Sequence, residues 1–345
     1  MKYISTALLL LLLSCKPAPD NQRIETTEVV APLILLDSTA AAAVIAKDEQ
    51  EGFFEKVGIT DMLIQMKQPY RDSINRDSLL LVYKAFLKTE VLDFSEDEIR
   101  FCQDVFNEIY PQLQSINPNI FPKDLQLIKL KGNHYGPGAF YTRERAILIP
   151  QGALEEKQRT SFYETMLHEI FHIYSRYHPR QRQKLYELIG FKKLNSPDGL
   201  VMDSPLKSRL LLNPDGIDLA YAIELKEDGK SIFAVPILVA NSLGYEPAKP
   251  EFFDYLQFNL YPIQPPYSRT IKVLSKNDGS SRLDLNEVKG FYEKIQRNTN
   301  YIIHPDEILA DNFIFMVQAN QDARTLGQFS EEGVRLIEQM EKVMK

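Results

Sequence analysis

Two kinds of hydrophobic pattern follow each other along the chain and separate a helical first part from a mixed second part. Before residue 114, apolar residues recur at helical spacing in segments at 38–54, 61–66, 74–87 and 95–113. Ser95 followed by Glu98 forms a capping box, which marks the start of the last of these helices. The pattern predicts an all-helical N-terminal region over residues 36–120.

Strand patterns begin after this region. Short apolar runs bounded by glycine-rich or charged turns occupy residues 125–130, 139–142 and 146–149, and a helix follows them almost at once. Asp228-Gly229 predicts the turn of one hairpin, and a second is expected from residue 270 to Asp278-Gly279. Helical spacing also appears at 180–188, 285–295, 305–318 and 331–343. Strands directly before a central helix, with helices elsewhere, predict an α+β fold.

The N-terminus reads as a secretion signal over residues 1–14. Met1-Lys2 is a short basic region, and Leu8–Leu13 is an apolar run too short to span a bilayer. Leu12-Leu13-Ser14-Cys15 resembles a bacterial lipobox, which implies cleavage before Cys15, a lipid on that residue and a place in the bacterial cell envelope. Polar residues 15–35 then suit a flexible tether. The alternative is a secreted protein with an incidental cysteine.

Composition narrows the classes of partner. Asp and Glu total 47 against 40 Lys and Arg, which gives a net charge of −7, and no basic patch indicates nucleic-acid binding. If Cys15 carries lipid, Cys102 is left without a partner for a disulfide. Its helical surroundings predict that Cys102 is a small buried apolar residue.

The sequence His168-Glu169-Ile170-Phe171-His172 carries the clearest chemistry. Residues four apart lie on one face of a helix, so the imidazoles of His168 and His172 can converge on one ion. Glu169 borders the same face, where it can accept a proton from a metal-bound water. The motif predicts a catalytic zinc site; the alternative is a buried helix whose histidines form hydrogen bonds within the core.

A catalytic zinc needs a third protein ligand and one open position. The best candidate lies in the segment from His304 to Asp311, where Pro305 suits a first helical position and Glu307 and Asp311 fall four apart on one face. Glu307 could instead be an acidic residue that favours the first turn of a helix. Glu224 is the rival ligand, although it lies in a strand pattern.

An H-E-x-x-H helix followed by E-x-x-x-D resembles the gluzincin branch of the zincin metallopeptidases, the group that includes thermolysin. The resemblance implies a zincin-like domain over residues 121–345 and one Zn²⁺ per chain, bound by His168, His172 and Glu307. It also implies that Glu169 is the general base and that Asp311 orients one of the two histidines. The interval from His172 to Glu307 is longer than in compact members, so the intervening elements would form an insertion.

The developing oxyanion needs one further donor. His304 is the first choice because it precedes Glu307 by three residues, with helix capping as its alternative role; Tyr301, His178 and Tyr174 are the other candidates. Zincins also bind peptides along the edge strand of the sheet, for which residues 139–149 are the counterpart.

The expected function is therefore that of a lipid-anchored zinc peptidase whose partners are a peptide or protein substrate and the membrane. Two alternatives stay open: a non-catalytic envelope protein that uses a zincin-like frame for binding or assembly, and a zinc hydrolase of a non-peptide substrate.

Overall fold

The computed structural model describes residues 30–264 and 269–345 of the chain. The predicted signal peptide and Cys15 lie outside these residues. The strands are β1 (Leu33–Leu35), β2 (Val91–Leu92), β3 (Leu125–Leu130), β4 (Tyr141–Arg143), β5 (Ala146–Pro150), β6 (Phe191–Lys193), β7 (Leu200–Val201), β8 (Leu210–Leu211), β9 (Tyr221–Glu227), β10 (Lys230–Ala240), β11 (Leu256–Pro262) and β12 (Ile271–Lys272).

The helices are α1 (Ser38–Ile45), α2 (Phe53–Lys56), α3 (Ile59–Gln65), α4 (Arg76–Thr89), α5 (Glu96–Ile116), α6 (Arg159–Tyr177), α7 (Pro179–Leu188), α8 (Ser204–Ser208), α9 (Phe291–Ile295), α10 (Pro305–Gln321) and α11 (Glu331–Met344). The predicted α+β class with a mixed sheet is confirmed. Among the helices of the described residues, none has both the length and the apolar character needed to cross a membrane.

The first sheet has the strand order β1-β3-β5-β4, with β2 also paired to β3. β1, β3 and β5 run parallel, whereas β4 is antiparallel to β5 and forms the edge. All five residues of β5 are buried, as expected for a strand covered on both faces. The strand runs predicted at 139–142 and 146–149 correspond to β4 and β5, which form a hairpin, and Glu144 has a φ of 53° in its turn.

Helices of the N-terminal region cover both faces of this sheet. Leu125 and Leu127 of β3 pack with residues of α5 and α6, while Ile128 and Leu130 of the same strand pack with residues of α1 and α4. The alternation follows from the two-residue period of a strand. Residues 36–120 therefore share both cores with the later part of the chain. Within the region, the capping box of Ser95 and Glu98 is present as predicted, and Cys102 is buried with a free thiol.

The first sheet also takes in residues 33–35, which the sequence assigned to the tether. Leu33 to Leu35 pair in parallel with Leu125 to Leu127. Leu33-Ile34-Leu35 is an apolar run at the end of an otherwise polar segment, and its backbone groups form hydrogen bonds with β3, a partner distant in the chain that local composition does not reveal.

A second sheet has the order β11-β10-β9-β6, with β8 paired to β10. The predicted β9–β10 hairpin is confirmed: Asp228 and Gly229 both have positive φ, as a tight turn of this kind requires. The predicted hairpin from residue 270 to Gly279 is wrong, because β12 pairs in parallel with the distant β7 and packs Ile271 into an apolar cluster. The helix expected at 285–295 is reduced to Phe291–Ile295.

Helices α6 and α10 cross in the main core and position the candidate site. The rings of Phe171 on α6 and Phe313 on α10 lie 5.5 Å apart, and both residues are fully buried. α10 begins at Pro305, whose missing N–H costs nothing at the first position of a helix. Packing of the apolar faces of the two helices thus places the polar residues in the first turn of α10 against the middle of α6.

Candidate metal centre

His168 and His172 lie one turn apart on α6, and both are buried. Their ring centroids are 4.6 Å apart. Because residues four apart lie on one face of a helix, both side chains point toward the same neighbouring helix, α10. Acidic residues of α10 meet both rings and form hydrogen bonds with them, so the histidines are bonded within the core as the alternative expects, and these bonds also place carboxylates around both imidazoles.

Glu307, in the first turn of α10, completes a group that could hold a metal ion. Its Oε2 lies 2.9 Å from Nε2 of His168 and 3.3 Å from Nε2 of His172. One ligand atom from each of the three buried residues lies within 4.8 Å of the others. In a tetrahedral site with bonds of about 2.1 Å, neighbouring ligand atoms are about 3.4 Å apart. Accommodating an ion therefore requires only small movements. Glu224, the rival ligand, lies on β9 and is not part of this group.

Each histidine has a carboxylate behind it. Nδ1 of His168 lies 3.1 Å from Oδ1 of Asp311, and Nδ1 of His172 lies 2.8 Å from Oδ2 of Asp306. A carboxylate in this position accepts the Nδ1 proton and leaves the Nε2 lone pair free for an ion. The structure places Asp311 against His168. Asp306 was missed by the sequence reasoning, although the need of a second acceptor and its position beside Glu307 could have indicated it.

Asp306 is itself held by two hydroxyl groups. Ser175 Oγ donates to its Oδ1 at 2.6 Å, and the hydroxyl of Tyr186 on α7 donates to the same atom at 2.9 Å. Burial opposes ionisation, but the hydrogen bonds and charge of His172 outweigh it and lower the pKa of Asp306. The carboxylate behind His172 is therefore kept ionised and fixed in orientation.

Glu307 is also held from a second side. Asn213 Nδ2 donates to its Oε1 at 2.6 Å, which leaves Oε2 turned to the two histidines. Burial raises the pKa of Glu307, but the neighbouring histidines outweigh burial and bring that pKa well below its ordinary value. For His168, burial is outweighed by hydrogen bonds to Asp311 and Glu307, which raise its pKa to about 9. An ion bound here would replace protons in this network.

Glu169 has the least satisfied polar atom of the centre. The side chain is buried, and its Oε2 has no hydrogen-bond partner within residues 30–264 and 269–345. Burial, with a further contribution from the negative charge of Asp215, raises the pKa of Glu169 to about 8. An unpartnered buried carboxyl oxygen is costly and is seldom retained without a use. Here it can take up a proton beside the ligand group.

Asp215 is a second carboxylate that the sequence reasoning missed. It lies in a segment without helix or strand, and it accepts a hydrogen bond from the backbone N–H of Thr142 at 2.6 Å and another from the Thr142 hydroxyl. Asp215 is only 8% exposed, and its charge acts on both Glu169 and His172. The segment around Asp215 has no periodic hydrophobic pattern, so its sequence does not indicate that it lies over the site formed by α6 and α10.

His304 does not have the position that an oxyanion donor needs. It caps α10, because its Nδ1 accepts the N–H of Asp306 at 3.1 Å, and burial lowers its pKa. The alternative role, that of a helix cap, is the one that the structure supports.

Tyr301 is the candidate donor that lies beside the ligand group. Its ring stacks on His168 with a centroid distance of 5.9 Å, and the residue is 38% exposed. Tyr174 and His178 instead stack on each other at 4.3 Å, where α6 ends.

The chain matches no protein-family model, no curated protein and no solved structure.

Proposed function

We propose that this chain is a zinc-dependent peptidase. One observation carries the proposal: two histidine Nε2 atoms and one carboxylate oxygen converge, and the buried Glu169 beside them has an oxygen without a partner. Two imidazoles and one carboxylate are a ligand set of catalytic zinc sites, in which three protein ligands leave a fourth position open.

When bound to His168, His172 and Glu307, zinc would supply a water of lowered pKa and polarise the scissile carbonyl. The chain's own residues supply the rest. Asp311 and Asp306 keep the imidazoles in the tautomer that presents Nε2, and Asn213 fixes the free oxygen of Glu307. These groups are in position before a substrate arrives, so little reorganisation is needed.

Glu169 is the proposed general base. Its Oε2 would take the proton of the attacking water and then hand it to the leaving amine. Burial favours the protonated form that must exist between these two transfers. A purely structural zinc site has no use for an unpartnered carboxyl oxygen, so Glu169 favours an enzyme over a non-catalytic binding protein.

Tyr301 is the proposed oxyanion donor in place of His304. Its ring lies against His168, and its partial exposure leaves it open to a substrate. The residue as a whole is partly exposed, but desolvation of its hydroxyl, together with the charges of Glu307 and Asp215, raises the pKa of Tyr301 well above its ordinary value, so the hydroxyl keeps the proton that it would donate.

A peptide substrate is favoured by the sheet. β4 is an edge strand of the first sheet and precedes β5 and α6 in the chain, and an extended peptide can add to such an edge through main-chain hydrogen bonds. Such pairing involves only backbone groups and therefore accepts many peptide sequences. A small non-peptide substrate has no peptide backbone with which to form these bonds.

Metal content and two variants test the proposal. The purified protein should hold about one zinc per chain, Glu169→Gln should keep zinc and lose hydrolysis of an unfolded protein substrate, and Glu307→Ala should lose zinc. Glu224→Ala is the matched control and should behave like wild type. A wild-type protein without affinity for zinc, or Glu169→Gln with wild-type activity, would refute the proposal.

Anchoring in a bacterial envelope is a further proposal, based on residues 1–15 alone. Replacement of Cys15 by Ala should move the protein from the membrane fraction to the soluble fraction of cells, because the lipid attachment site is lost. Cys102→Ala serves as the control for loss of a cysteine. Normal membrane attachment of Cys15→Ala would argue against a lipid anchor.

A further inference from the structure

One irregular segment separates the candidate metal centre from a large cavity. Residues 212–220 contain no helix or strand. Asn213 contacts Glu307, Asp215 contacts Thr142, and Gly216 packs against the ring of His304. Residues of the same segment also line a cavity of about 1010 Å³, whose other lining residues are both apolar, such as Leu200, and charged, such as Arg76. The segment therefore forms a partition between the two spaces.

Thr142 is the residue of β4 that an added strand would contact. It lies opposite Ile147 of β5, yet its N–H bonds to Asp215 and not to β5. The N–H and C=O of one residue in a strand point to the same side, so both groups of Thr142 face the open edge. An extended substrate would place a carbonyl oxygen where the carboxylate of Asp215 now lies.

The segment is anchored at its ends and held over the centre by side chains. The N–H of Leu212 donates to Asp61 at 2.9 Å, and the carbonyl of Ala220 accepts from Leu194 at 2.7 Å. Between these anchors, the hydrogen bonds of Asn213 and Asp215 tie the segment to Glu307 and β4. Ile217 of the segment is also 3% exposed and packs in the core that contains Ile128 and Leu130 of β3, so opening breaks this packing as well as the hydrogen bonds between Asp215 and Thr142.

We propose that residues 214–218 form a gate, which occupies the peptide-binding edge when closed and moves toward the cavity to admit a substrate, while Asn213 keeps its contact with Glu307. The inference rests on the proposed peptidase function. Closure has a measurable consequence, because apparent affinity and access are reduced by the fraction of molecules in which the gate is open. Weakening the contact between Asp215 and Thr142 should therefore increase both turnover and access to the metal.

Asp215→Ala in the zinc-loaded protein is the first test, with two rates measured. Cleavage of an internally quenched peptide library should rise by about tenfold or more in kcat/KM, and loss of zinc to 1,10-phenanthroline should accelerate in the same sense. Asp278→Ala is the matched control, because Asp278 likewise accepts one backbone N–H and one hydroxyl, both from Ser280, and does not line the cavity. It should leave both rates at the wild-type level.

Thr142→Val separates the gate from the charge of Asp215. This variant removes the hydroxyl that donates to Asp215 and accepts from Arg176, but it leaves the carboxylate beside Glu169, so a gate predicts smaller increases in both rates. If Asp215→Ala accelerates cleavage while Thr142→Val changes neither rate, the effect comes from charge and the gate is refuted. Unchanged or slower rates in Asp215→Ala would also refute it. Should Asp215→Ala fail to fold, Asp215→Asn, which retains an acceptor for the Thr142 N–H, takes its place beside Thr142→Val.

Failure of the peptidase proposal would look different. If the wild type and all variants hold zinc but cleave no peptide, the proposed function is wrong, and the rate of zinc loss still decides whether the gate exists. If the wild type cleaves peptides and Asp215→Ala matches it in both rates, only the gate is wrong.

Discussion

Nδ1 of His172 lies 2.8 Å from Oδ2 of Asp306, the residue directly before Glu307. Two neighbouring residues of α10 therefore serve opposite ends of the same imidazole: Asp306 holds Nδ1, while Glu307 faces Nε2 at 3.3 Å. A single turn of helix thus supplies one candidate ligand and the group that orients another. Because the contact is buried, its loss cannot be replaced by water at little cost.

We predict that Asp306→Asn weakens zinc binding by about 10- to 100-fold. The amide cannot carry the negative charge that holds the Nδ1 proton of His172, and its NH₂ group also competes with the donors Ser175 and Tyr186. Competition with a chelating dye measures the dissociation constant. Asp311→Asn is the comparison and should have a smaller effect, because the side chain of Asp311 is 23% exposed against 3% for Asp306. Equal affinity of Asp306→Asn and wild type would contradict the assigned role.

Tyr301→Phe should lower kcat by about 10²- to 10³-fold if the hydroxyl stabilises the oxyanion. The phenyl ring can keep the stacking on His168, so zinc content and thermal stability should stay close to those of wild type. Steady-state kinetics on a single peptide substrate separate kcat from KM. Tyr174→Phe is the matched control, since this tyrosine stacks on His178 and should tolerate the change. A rise in KM alone would instead indicate a role in substrate binding.

Gly216→Ala should destabilise the fold by about 1–3 kcal/mol. A Cβ at this position would lie 2.2 Å from Nδ1 of His304, which is part of the buried cap of α10 and cannot move freely. Chemical denaturation measures the change in the free energy of unfolding. Gly138→Ala is the control, because a Cβ there meets no atom within 4 Å and should not reduce stability. Similar stability of the two variants would show that the segment shifts without cost.

The buried Asp61 should make stability depend on pH in a defined direction. Burial raises its pKa to about 6, although hydrogen bonds from Leu212 and Gln65 partly oppose the shift. Below its unfolded pKa of about 3.9 the group is protonated in both states and has no effect. As pH rises to about 6 the unfolded state releases its proton first, so this group lowers the stability of the folded state. Well above pH 6 the group is ionised in both states, and the decrease in the stability of the folded state no longer changes with pH.

Asp61→Asn removes this titration. The free energy of unfolding of the variant minus that of wild type should therefore increase by about 2–3 kcal/mol from pH 4 to pH 7. The cost of the altered hydrogen bonds is the same at every pH and does not affect this increase. Urea titrations at several pH values measure the difference. The exposed Asp72→Asn should show no such trend. A difference between Asp61→Asn and wild type that does not change with pH would contradict the raised pKa.

Local features of the sequence predicted local features of the structure. The capping box at Ser95, the turn at Asp228-Gly229 and the start of α10 at Pro305 are all present, because each depends on residues a few positions apart. The shared direction of His168 and His172 belongs to the same class, since it needs only the period of one helix. The position of Glu307 beside them followed from a motif resemblance rather than from local rules.

Packing between distant segments decided the rest. Leu33–Leu35 entered the first sheet and Ile271–Lys272 paired with Leu200–Val201, because strand partners are chosen by the core that they complete. Asp306 reached His172 across 134 positions of the chain, and Asp215 reached Thr142 across 73. The sequence by itself thus determined which side chains could bind a metal ion. Only the tertiary structure decided which carboxylates support these side chains and which segment covers them. Helix periodicity and capping relate residues within about one turn of the chain, whereas these contacts depend on how α6, α10 and the sheet pack together.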